Sequence, residues 1–305
     1  MKNRYFPYIA LLLVCLIWGT TYMVNKIGVG HIPPFLFGFV RQLSAGLLLS
    51  FYIFVIRKHA LPSKEYIKFH SIVAILLITI GNGIGTFGLQ FIPSGISAVL
   101  AAISPIIIAL LSIYLNPEDR LKPTGWLGII MGTTGLLIIC SNNFSSDSNK
   151  TNSLLGLFFT ICSVSAWAFG TVYSKTKTFK ESPLIAAAIH MVVGSIPLLF
   201  LTLIFEKPFD FKITTTALGI WAYLIIFGSL VAYSAYIYAL KYLPATLVSI
   251  QSYINPIIAL VTGSVFLNEK ITVWIILGSM ITIIGIILVN FSLYKIKYRK
   301  FKSAT

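Results

Sequence analysis

The chain has 305 residues, of which 57% are hydrophobic and only 10% are charged, and its formal net charge is +15. Soluble domains carry about 25% charged residues, so this composition excludes an ordinary soluble fold, whose surface could not be covered with polar groups. The basic residues lie in short connections and in the C-terminal tail, which favours the loops of a membrane protein over a nucleic-acid-binding surface.

Ten apolar segments are long enough to cross a bilayer core of about 30 Å, which takes roughly 20 residues of α-helix. In chain order they cover 7–28, 34–56, 71–91, 95–115, 123–140, 153–173, 183–205, 217–240, 244–266 and 271–293. The segments are too long for the strands of a membrane barrel, and they lack the alternation that such strands show. The sequence therefore predicts an all-α integral membrane protein with ten transmembrane helices.

A polar stretch over 141–152 interrupts the apolar pattern near the middle of the chain. Such a stretch is typical of a linker. It predicts a first five-helix unit over 7–140 and a second over 153–293. A basic tail over 294–305 follows the last predicted helix.

Lysine and arginine residues are divided unequally between the two faces that ten crossings define. With the N-terminus in the cytoplasm, seventeen of them fall on the cytoplasmic side and five outside, while Arg41 lies within a span. Cytoplasmic loops of membrane proteins are enriched in these residues. The count thus predicts a multi-pass protein of the cell membrane with both termini in the cytoplasm.

Residues of distinctive type recur in the same order about 150 positions apart, as expected of an internal repeat. The matched pairs are Trp18 and Trp167, Lys26 and Lys175, Arg41 and His190, Pro105 and Pro256, Glu118 and Glu269, Gly128 and Gly278, and Gly135 and Gly285. Because five is odd, the second unit must cross the membrane in the opposite sense. Two similar bundles that face opposite ways give two conformations of similar energy around a midplane site, which is the architecture of many secondary transporters.

These motifs resemble the drug/metabolite transporter superfamily, and within it the EamA-type ten-helix carriers. In the first repeat, the first helix contains Trp18-Gly19 and ends at Lys26, and the second helix contains Arg41. The fourth helix contains Pro105 and ends at Glu118, and the fifth helix has the glycine pattern Gly128 and Gly135. The second repeat departs at His190, which occupies the arginine position, and at Ala168 after Trp167. The resemblance covers nearly the whole chain and implies export or exchange of amino acids or related metabolites.

Arg41 and His190 are the most informative single residues. Arg41 lies about 10 Å into the second helix at 1.5 Å per residue, and a charge there costs a few kcal/mol unless it is paired or faces water. Arg41 either attracts an anionic group of the substrate or has a structural role, binding helix carbonyls or a partner such as Glu269. His190 lies equally deep from the other side, as a group that titrates near neutral pH or as a packed neutral side chain.

Further polar residues within the spans predict a cavity between the repeats or, as the alternative, side chains that join neighbouring helices. The predicted substrate-binding set is Arg41, Asn82, Gln90, His190, Tyr233, Tyr236, Gln251 and Asn255, and the predicted gating or structural charges are Lys26, Lys175, Glu118 and Glu269. No acidic residue falls deep within a predicted span, which favours facilitated diffusion or exchange over proton antiport. No metal-ligand spacing and no strand-associated glycine motif is present, so neither a metal nor a cofactor is expected.

The predicted function is a secondary carrier that moves a small metabolite by alternating access, with export of an amino acid or related compound favoured. Its partners are the substrate and the lipid bilayer, without nucleic acid, and it is expected to be a monomer or a homodimer. A lipid flippase or a membrane sensor of the same fold is an open alternative. An intramembrane enzyme is disfavoured because no nucleophile elbow or metal cluster is present.

Overall fold

The computed structural model describes residues 5–115, 122–146, 150–206, 211–249 and 251–303, and these ranges contain helices and no strands. The ten helices are α1 (Phe6–His31), α2 (Pro34–Ser50 continued by Phe51–Ile56), α3 (Lys64–Ala74, Ile75–Ile84 and Gly85–Gly88), α4 (Ser94–Ala101 and Ser104–Leu115), α5 (Pro123–Ser146), α6 (Lys150–Tyr173), α7 (Pro183–Phe205), α8 (Thr215–Tyr223, Leu224–Val231 and Ala232–Tyr242), α9 (Ala245–Val248 and Gln251–Leu267) and α10 (Val273–Ser303). The all-α prediction is confirmed.

Within the described residues, seven helices are long and apolar enough to cross a membrane, and α5, α9 and α10 contribute three shorter apolar segments. Large apolar side chains on the outside of the bundle are exposed, including Leu12 (57%), Phe200 (58%) and Val265 (67%). Such a surface is stable in contact with lipid, where the helices satisfy every backbone group internally. The protein is therefore a multi-pass membrane protein.

Several helices extend beyond their predicted bounds. Helix α5 runs to Ser146 and α6 begins at Lys150, so most of the predicted linker 141–152 is helical, and α10 continues through the predicted tail to Ser303. Neither stretch contains glycine or proline, the residues that most often end a helix. Helix α3 begins at Lys64 rather than at 71, with Ser63 as its N-cap.

The ends of α1 and α6, which are equivalent in the two repeats, make equivalent contacts. Lys26 Nζ donates to the carbonyl oxygen of Leu89 at the end of α3 over 2.6 Å, and Lys175 Nζ donates to that of Leu240 near the end of α8 over 2.5 Å. A lysine at the C-terminal end of a helix satisfies carbonyls that lack an intrahelical partner. Lys26 and Lys175 thus join the first and third helices of their repeats in the same way.

The two repeats run in opposite senses. Lys26, at the end of α1, contacts the end of α3, whereas Lys177, just after α6, forms a salt bridge of 2.8 Å with Glu65 at the start of α3. The ends of α1 and α6 therefore lie at opposite ends of α3. We call these the Lys26 end and the Lys175 end of the bundle.

Helices α5 and α10, also equivalent in the repeats, pack directly against each other through small residues. A Cβ atom added to Gly285 would lie 2.5 Å from the carbonyl oxygen of Gly128, and one added to Gly135 would lie 2.5 Å from Thr282 Oγ1. Close approach of helix backbones through small residues is how helices associate in lipid, where burial of apolar surface gives no advantage. This pair lies beside the helices that enclose the cavity described below.

Irregular backbone occurs at equivalent places in both repeats. Helices α3 and α8 each contain a π-helical segment, Ile75–Ile84 and Leu224–Val231. Helix α4 is interrupted between Ala101 and Ser104, directly before Pro105, since proline removes a hydrogen bond and crowds the preceding turn. In membrane proteins such irregularities are tolerated where the backbone is buried in protein or lines a cavity.

Candidate functional site

A central cavity of about 140 Å³ lies between the two repeats. Its polar lining consists of Thr21, Asn25, Arg41, Gln42, Asn82, Thr86, Ser97, Ser104, Thr160, Ser163, Gln251, Ser252 and Asn255, and its aromatic lining of Trp18, Tyr22, Trp167 and Tyr233. A cavity of about 150 Å³ accommodates a molecule the size of benzene. The site therefore has the volume for a small metabolite and a wall that combines polar and aromatic side chains.

Arg41 is the one charged side chain among the described residues that line this cavity. It is only 4% exposed, and it is held by neutral groups: Nε donates to Ser229 Oγ over 3.0 Å, and Nη1 donates to Asn25 Oδ1 over 3.2 Å. Within the described part of the chain, no carboxylate forms a salt bridge with it. The guanidinium group thus carries a buried positive charge without a described anionic partner.

Glu269, one structural partner considered for Arg41, binds elsewhere. Its carboxylate accepts hydrogen bonds from Ser94 N over 2.8 Å, from Ser94 Oγ over 2.8 Å and from Gly95 N over 3.2 Å. These donors form the N-terminus of α4, where the exposed N–H groups and the helix dipole favour a negative charge. Glu269 therefore joins the second repeat to the first at the Lys26 end.

Glu206 makes an equivalent contact at the same end of the bundle. Its carboxylate accepts from Phe35 N over 2.7 Å and from Leu36 N over 2.9 Å, at the start of α2. Burial raises the pKa of Glu206, and the hydrogen bonds from the two backbone groups lower it in part. Two carboxylates of the second repeat thus cap helix N-termini of the first.

Two residues of the cavity lining, Gln42 and Thr160, each have a buried polar atom without a described protein partner. Gln42 Oε1 and Thr160 Oγ1 are buried and have no hydrogen-bond partner among the described residues, although Gln42 Nε2 donates to Asn82 Oδ1 over 3.2 Å. Buried polar atoms are normally paired, so a ligand that reaches these two atoms would satisfy them. A cationic group and a carbonyl acceptor on adjacent residues are complementary to a molecule that has both an anionic group and a hydrogen-bond donor.

An aromatic layer of Trp18, Trp167 and Tyr236 adjoins the cavity. The rings of Trp18 and Trp167, which are equivalent in the two repeats, meet edge to face with centroids 5.4 Å apart. Tyr236 packs against both, with centroid distances of 5.1 Å and 5.3 Å. Its hydroxyl is also hydrogen-bonded to Thr171 Oγ1 over 2.7 Å. The layer consists of bulky side chains from α1, α6 and α8, so a change in the packing of the repeats alters it.

A second cavity of about 150 Å³ lies at the Lys175 end and is lined by His70 and His190. His190 Nε2 is 2.9 Å from His70 Nδ1, and His190 Nδ1 is 2.9 Å from the hydroxyl of Tyr233, which lines the central cavity. His70 lies one residue before the predicted third span and was not among the candidates. The spacing of Tyr66, Phe69, His70 and Val73, which are all buried, is the helical pattern that identifies this face.

The predicted substrate-binding residues fall in different places. Arg41, Asn82, Tyr233, Gln251 and Asn255 line the central cavity, whereas His190 lines the second cavity and Tyr236 belongs to the aromatic layer. Gln90 does not reach the cavity, because it follows the last turn of α3, where it is exposed and donates to Phe87 O. Of the predicted gating charges, Glu118 lies outside the described residues.

The sequence matches the model of the EamA-like transporter family twice, over residues 5–141 and 154–291. It is 29% identical over 288 residues to the uncharacterized inner membrane transporter YedA of Escherichia coli K12, with 93% of this chain and 90% of that protein covered. It is 28% identical over 289 residues to the uncharacterized transporter YoaV of Bacillus subtilis, with 93% and 96% covered. A solved crystal structure shares the fold at 16% identity, with a TM-score of 0.69 over 96% of this chain and 99% of that one.

Proposed function

Because the chain belongs to the EamA-like transporter family, within the drug/metabolite transporter superfamily, we propose that it is a secondary carrier of a small zwitterionic metabolite, an amino acid or a related compound. The central cavity is the proposed substrate site, and access to it alternates between the two faces of the membrane. The observation that most supports this proposal is the buried guanidinium group of Arg41, which lines the cavity and has no described carboxylate partner.

Recognition of the substrate follows from the charge balance of the cavity. A buried cation costs a few kcal/mol unless it is paired or hydrated, so a carboxylate that enters the cavity gains charge-assisted hydrogen bonds from Arg41. The ammonium group of the same molecule donates to Gln42 Oε1, which has no described partner. A zwitterion therefore satisfies both groups at once, whereas a simple amine leaves the arginine unpaired.

Alternating access follows from the inverted repeat. Two bundles with the same packing but opposite orientation have two arrangements of similar energy, one open to each side. At the Lys26 end, Glu269 joins the repeats at the start of α4 and Glu206 joins them at the start of α2. At the Lys175 end, Lys177 pairs with Glu65. We expect these contacts to change between the two arrangements. One repeat can therefore rock against the other when a few polar contacts at these ends break and re-form.

The proposed orientation places both termini in the cytoplasm, on the distribution of lysine and arginine. The Lys26 end then faces the outside and the Lys175 end faces the cytoplasm. The proposed direction of net flux is export, with exchange as the partial reaction that is easiest to measure. Export is proposed from the resemblance of the motifs and not from the geometry of the cavity.

Counterflow in liposomes tests the proposed function. Purified protein is reconstituted into vesicles that contain a high concentration of one unlabelled amino acid, and transient uptake of the same radiolabelled amino acid is followed for each member of a panel. We expect counterflow for at least one small amino acid and none for its amino alcohol, which lacks the carboxylate. Absence of counterflow across the panel, with the protein shown to be folded, contradicts the proposal.

A further inference from the structure

Three side chains connect the two cavities through hydrogen bonds. Tyr233 lines the central cavity, and its hydroxyl is 2.9 Å from His190 Nδ1. The other ring nitrogen of His190 is 2.9 Å from His70 Nδ1, and both histidines line the second cavity. His190 uses both ring nitrogens and His70 uses one, so the three side chains form one continuous chain between the two cavities.

We propose that Tyr233, His190 and His70 form a proton relay between the two cavities, and that the carrier exchanges one proton for each substrate molecule. The inference rests on the proposed function, because the proton is coupled to the conformational cycle of the carrier. Neutral histidine accepts a proton at one ring nitrogen while it releases one from the other, which makes it suitable for such a shuttle. Chains of ionisable side chains within the membrane serve this purpose in pumps and transporters.

Each transfer conserves protons and charge. In the starting arrangement the hydroxyl of Tyr233 donates to His190 Nδ1, and His190 Nε2–H donates to His70 Nδ1. A proton that reaches the oxygen of Tyr233 from the central cavity displaces the hydroxyl proton to His190 Nδ1. The proton on His190 Nε2 then moves to His70 Nδ1, and His70 Nε2 releases its proton to the second cavity. One proton has entered and one has left, and both hydrogen bonds are reversed.

The packing of the rings couples this transfer to the transport cycle. The chain accepts a second proton in the same direction only after the two rings have turned back. His190 is 1% exposed and His70 is 8% exposed. The ring centroid of His70 lies 4.2 Å from that of Tyr66 and 5.3 Å from that of Phe69. Rings so enclosed turn when the repeats separate, so one proton passes in each cycle and a continuous leak is prevented.

The charged groups around the histidines disfavour a histidine that stays protonated, so a proton passes through without remaining on either ring. Besides the histidines, the titratable side chains that line the second cavity are Tyr66, Lys175, Lys177, Glu181 and Lys241. The lysines disfavour a lasting imidazolium, because like charges repel across a short distance. Glu181 is the one carboxylate among the described residues of this lining. In this proposal the histidines take the role that an intramembrane carboxylate has in other proton-coupled carriers, in place of the facilitated diffusion or exchange predicted from the sequence.

The substitution His190→Gln separates proton transfer from packing. The amide oxygen of glutamine accepts from Tyr233, and its amide nitrogen donates to His70, so both neighbours keep a partner. An amide does not take up and release protons near neutral pH, so the relay is interrupted. His59→Gln is the matched control, because His59 is exposed in the loop between α2 and α3.

The test uses vesicles with a pH gradient of one unit and radiolabelled alanine, serine and threonine. With the vesicle interior acidic and the membrane potential held at zero, a gradient of one unit supports about tenfold accumulation if one proton is exchanged for each substrate molecule. We expect this accumulation with the native protein and with His59→Gln, and about onefold with His190→Gln, which retains counterflow at equal pH.

Two results overturn the relay without affecting the proposed function: counterflow by the native protein without accumulation under the gradient, or full accumulation by His190→Gln. If no protein shows counterflow of any of the three amino acids, the proposed function fails, and the relay fails with it. Loss of counterflow in His190→Gln alone also overturns the relay, because it assigns the histidine to substrate movement itself.

Discussion

Replacement of Arg41 by glutamine removes the charge that we assign to substrate binding. The guanidinium group has two described hydrogen bonds, to Ser229 and to Asn25, so its remaining donors are available to a carboxylate. A hydrogen bond to a charged group contributes about 1.5–3 kcal/mol. At about 1.4 kcal/mol per factor of ten, loss of one or two such bonds weakens binding between about tenfold and 10⁴-fold.

The effect of Arg41→Gln on folding is smaller than its effect on binding. Loss of the partner of Ser229 and of Asn25 destabilises the fold by about 1–3 kcal/mol each. Removal of a buried charge offsets this by a few kcal/mol, and the glutamine amide still donates to one of the two oxygens. We therefore expect a folded protein with a melting temperature close to that of the native protein.

The assay compares the binding of alanine and of its amino alcohol by calorimetry in detergent. The native protein should prefer alanine, and Arg41→Gln should bind the two alike. Arg57→Gln is the control, because Arg57 is exposed at the end of the same helix. Unchanged affinity of Arg41→Gln for alanine refutes the assignment. Equal binding of the two ligands by the native protein refutes it without any substitution.

Two further predictions concern packing and pH. Gly285→Ala places a methyl group 2.5 Å from the carbonyl oxygen of Gly128, so we expect a lower melting temperature by an overpacking cost of about 1–3 kcal/mol. A Cβ atom added to Gly219 meets nothing within 4 Å apart from the nearby backbone of its own helix, so Gly219→Ala should not lower the melting temperature. A fall equal to that of Gly285→Ala would contradict the packing. Because the pKa of Glu206 is raised from 4.5, its stabilising contribution is full below pH 4.5 and declines as the pH rises through the folded pKa. Glu206→Gln should remove this part of the pH dependence of thermal stability, and an unchanged profile would contradict it.

The overall architecture was predictable because lipid imposes a simple rule on the sequence. Each crossing needs about 20 apolar residues, and the backbone must satisfy its own hydrogen bonds. The pairs Trp18 with Trp167 and Lys26 with Lys175 then identified the repeat, since tryptophan and lysine are rare enough within apolar sequence to be distinctive. The same pairs occupy equivalent positions in the structure, at the aromatic layer and at the ends of α1 and α6.

His70 and Gln42 could not be identified as candidate site residues from the apolar pattern of the sequence. Lys64, Glu65 and Lys68 lie on the exposed side of α3, and their charges concealed the first two turns of this helix from a search for apolar segments. His70, on the buried side of the same turns, was therefore placed outside the membrane. Gln42 was missed for another reason: a neutral polar residue beside Arg41 gives no sign of whether it faces a cavity or a neighbouring helix.

The most direct test of the inverted repeat determines on which face of the membrane the first helix of each repeat ends. In a background without native cysteines, Gly30→Cys labels the Lys26 end and Thr176→Cys labels the Lys175 end; both positions are exposed. Intact cells are treated with a maleimide that does not cross the membrane, before and after permeabilisation. The inverted repeat predicts that position 30 reacts in intact cells and position 176 only after permeabilisation. Reaction of both positions from the same face would contradict it.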